Sequence, residues 1–166
     1  MIQTILKSYL SKHKYNFTFL KFSSICSLTM LVFGNYSVSA QNTITINRNT
    51  VEQPLTITGT SSGGIKLAEI AKTENTATGY CDGYVDAQPN HLLQIESSFD
   101  SLRLEVNSSA DTTVLVKGNS GVWCNDDAGS ANPIIEGQWQ QGLYKVWIGS
   151  HQPNTSNNYQ IKITGN

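Results

Sequence analysis

Apolar and polar residues alternate with a period of two along most of the chain. Thr43-Ile-Thr-Ile46, Leu55-Thr-Ile-Thr58 and Gly64-Ile-Lys-Leu67 each place β-branched or aliphatic residues on one face, the pattern of a half-buried strand. Asn47-Arg-Asn-Thr50 and Gly59-Thr-Ser-Ser-Gly-Gly64 between them are turn material. Leu67 to Ala77 tolerates a short helix but carries no long apolar stripe. Thr78 to Pro89 reads as a loop.

The strand signal strengthens after His91. His91–Ser97 puts Leu93 and Ile95 on one face, and Leu102-Arg-Leu-Glu-Val106 puts Leu102, Leu104 and Val106 inward with Arg103 and Glu105 outward. Phe99-Asp-Ser101 between these runs has the length of a hairpin connection. Thr112-Thr-Val-Leu-Val116 is apolar on both faces and is expected to be central. Lys117–Gly121 then turns the chain into Val122-Trp-Cys124, and Leu143–Ile148 and Tyr159–Ile163 supply the last strands. Eight or more short strands with almost no helical period predict an all-β fold, an antiparallel β-sandwich.

The first 40 residues break this pattern. Lys7, Lys12, Lys14 and Lys21 stand without an acidic neighbour, an apolar run follows from Ile25 to Gly34, and Val38-Ser-Ala40 offers small residues ahead of Gln41. That order predicts a secretory signal peptide over 1–40 and a single exported domain over 41–166, secreted or held in a bacterial periplasm or envelope. The apolar run is shorter than the ~20 residues a spanning helix needs, so no membrane span is expected in the mature chain. The residues around Cys26 do not fit a lipid-attachment motif, and Cys26 is expected to leave with the leader.

Removing the leader changes the charge. The remaining 126 residues keep 12 acidic and 7 basic side chains, a net charge of −5. Such a surface repels phosphate backbones and anionic lipid, which excludes nucleic acid as the expected partner. It also leaves two cysteines, Cys81 and Cys124, 43 residues apart. In an oxidising compartment they are expected to bond to each other, and closing a loop of that size contributes about 4 kcal/mol in the chain-entropy model.

Four segments carry a family likeness: Asp111-Thr-Thr-x-Leu-Val116, Gly121-x-Trp-Cys-Asn-Asp-Asp127, Asn132-Pro-x-Ile135 and Gly142-x-Tyr-x-Val-Trp-x-Gly149. Together they resemble bacterial pre-peptidase C-terminal domains, over about 79–164. Cys81-Asp-Gly-Tyr84 and Pro89-Asn-His91 add a likeness to short standalone exported members, with Asn90 standing where an Asp is expected. The resemblance implies a jelly-roll-like sandwich and an accessory role beside secreted peptidases, with no catalytic residues to carry over.

Three groups of residues bear on function. Gly59-Thr-Ser-Ser-Gly63 and Gly118-Asn-Ser-Gly121 look like serine-nucleophile motifs, and a small secreted serine hydrolase using Ser61 or Ser120 is the enzymatic alternative. A nucleophile elbow needs an α/β sheet, and a chymotrypsin-like enzyme needs two barrels with His and Asp in reach; the chain is too small for either, so both serines are read as turn residues. Asn125, Asp126 and Asp127, with Asp111 and Glu136 at nearby strand ends, supply hard oxygen ligands for Ca²⁺, though without EF-hand spacing. The same residues equally serve as Asx-turns. On the strand 143–148, Trp147 and Lys145 are expected outward if Tyr144, Val146 and Ile148 face the core. With Trp139 they form a candidate surface for polysaccharide or another exported protein, unless a neighbouring segment covers the Trp. The resulting expectation is a non-catalytic binding or accessory module; an envelope or matrix protein holding glycans through exposed Trp is the other alternative.

Overall fold

A computed structural model describes residues 43–165; the expected leader lies outside them. Thirteen strands appear there: β1 (Thr43–Ile46), β2 (Leu55–Ser61), β3 (Ile65–Lys66), β4 (Asn75–Thr76), β5 (Gly79–Tyr80), β6 (Tyr84–Val85), β7 (His91–Ile95), β8 (Phe99–Ser108), β9 (Thr112–Gly118), β10 (Gly121–Asn125), β11 (Ile134–Trp139), β12 (Gly142–Ser150) and β13 (Asn157–Gly165). One short α-helix, α1 (Leu67–Ala71), follows β3 directly, and a 3-10 turn spans Asn49–Val51.

The strands form two main sheets. In the first, β12 is the spine: one edge pairs with β7, from Gly142↔Ile95 to Val146↔His91, and the other with β9, from Lys145↔Lys117 to Ser150↔Thr112. β10 extends the sheet beyond β9, β1 lies beyond β7, and β6 and β3 continue from Ser150. The second sheet runs β11-β8-β13-β2 and is antiparallel throughout. β1 departs from the antiparallel expectation, pairing in parallel with β7.

Period-two alternation builds the core between the sheets. Leu93 and Ile95, Leu102, Leu104 and Val106, Tyr144, Val146 and Ile148, and Tyr159, Ile161 and Ile163 are all buried in it. These are the faces the alternation assigns. The connection near Phe99 is different: β7 and β8 lie in different sheets, and buried Phe99 opens β8, so Ser97-Ser98 is a crossover and not a hairpin tip.

A second core lies on the outer face of the first sheet. Leu67 and Ala71 of α1 pack with Cys81, Val85, Leu115, Cys124 and Trp147. This third layer explains why Thr112 to Val116 are buried on both faces. Lys72 ends the helix in the left-handed conformation, and Lys117 Nζ donates to the Ile70 carbonyl at 2.8 Å, a cation placed on the negative end of the helix. The β4–β5 hairpin docks beside β10: the Thr78 hydroxyl donates to the Cys124 carbonyl at 2.8 Å, and Cys124 N–H donates to the Thr76 hydroxyl at 3.0 Å. The expected Cys81–Cys124 disulfide closes this layer.

Candidate metal centre

Strand register brings four acidic or imidazole side chains to one end of the first sheet. Because β12 pairs with β9 as far as Ser150↔Thr112, His151 emerges beside Asp111, and its N–H donates to the Asp111 carbonyl at 3.3 Å. β10 pairs with β9 as far as Asn125↔Val114, so Asp126 leaves the sheet at the same end. Ser150↔Tyr84 places β6 there too, which delivers Asp82 two residues ahead of Tyr84. One ligand atom each of Asp82, Asp126 and His151 lies within 4.8 Å of the others.

The local backbone fixes this arrangement from both sides. The Cys81–Cys124 bond holds the Cα atoms 5.1 Å apart, one residue before Asp82 and two before Asp126. Gly83 has φ +89°, a conformation that favours glycine, and a Cβ there would lie 2.6 Å from Thr113 Cγ2. Its N–H donates to Asp82 Oδ1 at 2.8 Å, orienting that carboxylate.

Asp126 is the strained member electrostatically. Its Oδ1 is buried and has no hydrogen-bond partner among the described residues. Burial pushes its carboxyl up to about 6, with the charges of Asp127, Asp111 and Asp82 adding to the rise and His151 opposing it. A carboxylate that loses water and gains no donor is stabilised by a cation. Two carboxylates and an imidazole, with water completing the shell, match the donors of a divalent ion such as zinc. Calcium would need more oxygen, for which Asp111 and Asp127 stand nearby.

The residues expected from the sequence divide. Asp126, Asp127 and Asp111 share this end of the sheet. Asn125 is spent on structure: Nδ2 donates to the Thr78 carbonyl at 2.7 Å, and Oδ1 accepts from Ile134 N at 3.1 Å. Glu136 does not join them. It pairs in register with Arg103 on the second sheet, with Arg103 Nη1 2.8 Å from Glu136 Oε2. Asp82 and His151 were not among the expected ligands. Their signal was the cysteine pair, which tethers Asp82 to Asp126, and the strand ends, which align 151 with 111.

The aromatic surface also needs correction. Trp147 points away from the main core as alternation requires, but α1 covers it and it is only 5% exposed. Trp139 is buried in the main core beside Tyr144, with ring centroids 4.9 Å apart, and stacks with Trp123 at 6.2 Å. Only Lys145 of that surface is exposed. The serines have hydroxyl partners: Ser61 Oγ lies 2.8 Å from Ser150 Oγ, and Ser120 Oγ 3.2 Å from the Tyr144 hydroxyl. Of the described histidines, His91 Nε2 lies 2.8 Å from the Tyr159 hydroxyl and His151 groups with Asp82 and Asp126.

No family model matches the chain. An uncharacterized protein of Synechococcus elongatus is 30% identical over 87 residues, which are 50% of this chain and 64% of that relative's length. A surface-associated copper-binding protein of Methylomicrobium album BG8 is similar over 76% of this chain and 98% of that one, with 7% identity and a TM-score of 0.38. The pre-peptidase C-terminal domain of a collagenase from Bacillus anthracis is similar over 76% of this chain and 98% of that one, with 11% identity and a TM-score of 0.45.

Proposed function

We propose that this protein is an exported, non-catalytic β-sandwich module that binds a divalent cation at the disulfide-tethered end of its first sheet. The observation that carries the reading is the Asp126 carboxylate, which has a buried, unpartnered Oδ1 and an oxygen within 4.8 Å of ligand atoms of Asp82 and His151. An extracytoplasmic location agrees with the disulfide, since such bonds persist in oxidising compartments. A non-catalytic role agrees with the serine hydroxyls of both motifs being engaged by other hydroxyls, Ser61 by Ser150 and Ser120 by Tyr144.

The bound ion raises stability by mass action, about 2.7 kcal/mol at a hundredfold excess over Kd. The test is thermal unfolding of chelator-stripped protein titrated with Ca²⁺ and separately with Zn²⁺. A rise in Tm that Asp126→Asn abolishes supports the site; no shift with either ion removes it. His151→Ala then separates the two ions, because it abolishes a zinc shift and leaves a calcium shift carried by carboxylates.

A further inference from the structure

A second feature lies on the outer face of the first sheet, and none of the candidate metal ligands lines it. Lys117 and Lys145 are direct cross-strand partners on β9 and β12. Side chains of directly paired residues share a face, and like charges set opposite each other repel. Among the described residues no carboxylate pairs with either lysine; the ion pairs there belong to Arg103. Trp147, two residues beyond Lys145 on the same face, contributes a third donor: its Nε1 is buried without a hydrogen-bond partner.

These residues line one cavity of about 390 Å³, together with Asn119, Ile70 and Leu143. Leu143 is 42% exposed, one of two large hydrophobic residues so exposed among those described. The cavity therefore combines an apolar wall with an excess of donors and positive charge. Every charged side chain lining it is cationic.

We propose that this cavity binds a small organic carboxylate, with the anionic group between Lys117 and Lys145 and the apolar body against Leu143 and Ile70. The carboxylate removes the repulsion of the lysine pair and is the acceptor that Trp147 lacks. Lys117 gives one N–H to the Ile70 carbonyl, and its ammonium keeps two more. Trp147 Nε1 is shielded from solvent and its ring is covered by α1, so the acceptor reaches it when that cover shifts. A bare inorganic anion gains the charge contacts but leaves the apolar wall wet, and a neutral amide of the same shape gains the wall but not the charge.

The test is an NMR titration of the purified protein with benzoate, following the indole N–H resonance assigned to Trp147 by its absence in Trp147→Phe. Benzamide and sulfate are titrated in parallel. The expected result is a saturable shift of that resonance by benzoate, with affinity at least tenfold above benzamide and above sulfate. Lys145→Gln, an exposed substitution outside both cores, weakens benzoate by about tenfold, the loss of one charge-assisted contact. Lys117→Gln has the same direction. Equal binding of benzoate and benzamide, an unmoved Trp147 resonance, or unchanged affinity in a folded Lys145→Gln protein overturns the proposal. Because no residue here belongs to the metal centre, the titration is run with chelator present.

Discussion

Cys81 is bonded to Cys124, and the bond sets Asp82 beside Asp126, whose strands are linked within the sheet through β9 and β12 and beside it by the β4–β5 hairpin docked on β10. A single covalent link thus closes the second core and assembles the candidate ligands. Replacing both cysteines with alanine is expected to lower unfolding stability by about 2–4 kcal/mol, from the loop-closure entropy restored to the unfolded chain. The same double variant, measured by urea denaturation and by metal titration, is expected to lose cation affinity even below the temperature at which it unfolds. A variant that keeps full affinity would show that the strand ends alone hold Asp82 in place.

How far the sequence disclosed this arrangement depended on which interaction fixed each residue. Alternation assigned the inward faces of β8, β12 and β13, because one buried face per sheet enforces a period of two. It also marked β9 as central, since Thr112 to Val116 carry no charged side chain to offer solvent. It misled at Trp147: alternation says that a residue faces away from the main core, but not whether a third layer waits there. That layer rests on α1, whose five residues are too short to display a stripe. The Ile95-to-Leu102 connection misled for a related reason, as a short link between strands can cross from sheet to sheet. Glu136 was adjacent to the acidic loop in the chain and distant in space, because β11 joins the second sheet.

Gly83 carries the approach of the Asp82 loop to the sheet. With φ at +89° and Thr113 Cγ2 2.6 Å from where a Cβ would stand, Gly83→Ala meets both backbone strain and a clash. The expected cost is about 1–3 kcal/mol, the range for a residue forced into a sparsely populated conformation. Chemical denaturation measures it directly. Gly129 is the control: it also has positive φ, at +80°, but no atom lies within 4 Å of its Cβ position, so Gly129→Ala is expected to cost less.

His91 gives the fold a pH dependence. It sits on β7 with its Nε2 2.8 Å from the Tyr159 hydroxyl of β13, joining the two sheets. Burial lowers its pKa from the ordinary 6.5. A lowered folded-state value means that the unfolded chain binds the proton more readily, so the contribution is fully present above 6.5 and is lost as pH falls from 6.5 through the folded value. Asp126 has the opposite sign: raised to about 6, it favours the fold at low pH and loses that contribution as pH rises through about 6. Urea midpoints at about pH 7.5 and 5.0, with chelator, are expected to show a smaller acid loss in His91→Gln than in the parent. An unchanged pH slope in that variant would assign the dependence elsewhere.

Asn90 tests whether an amide is required at that position. Its Oδ1 accepts from Ile148 N at 2.8 Å and its Nδ2 donates to the Thr60 carbonyl at 3.4 Å, so one side chain links β12 of the first sheet to β2 of the second. Only an amide supplies an acceptor and a donor in that geometry. Asn90→Asp keeps the acceptor for Ile148 but turns a carboxylate oxygen towards the Thr60 carbonyl, replacing a hydrogen bond with repulsion. The expected loss is about 1–3 kcal/mol at neutral pH, the cost of leaving a polar group unsatisfied. Acidification should recover part of it, because a protonated carboxyl restores a donor. Urea denaturation of Asn90→Asp at about pH 7 and pH 4, each measured against the parent at the same pH, checks the sign. A stability gap that narrows on acidification supports the amide's double role, and one that is absent at neutral pH shows that the Thr60 contact contributes nothing.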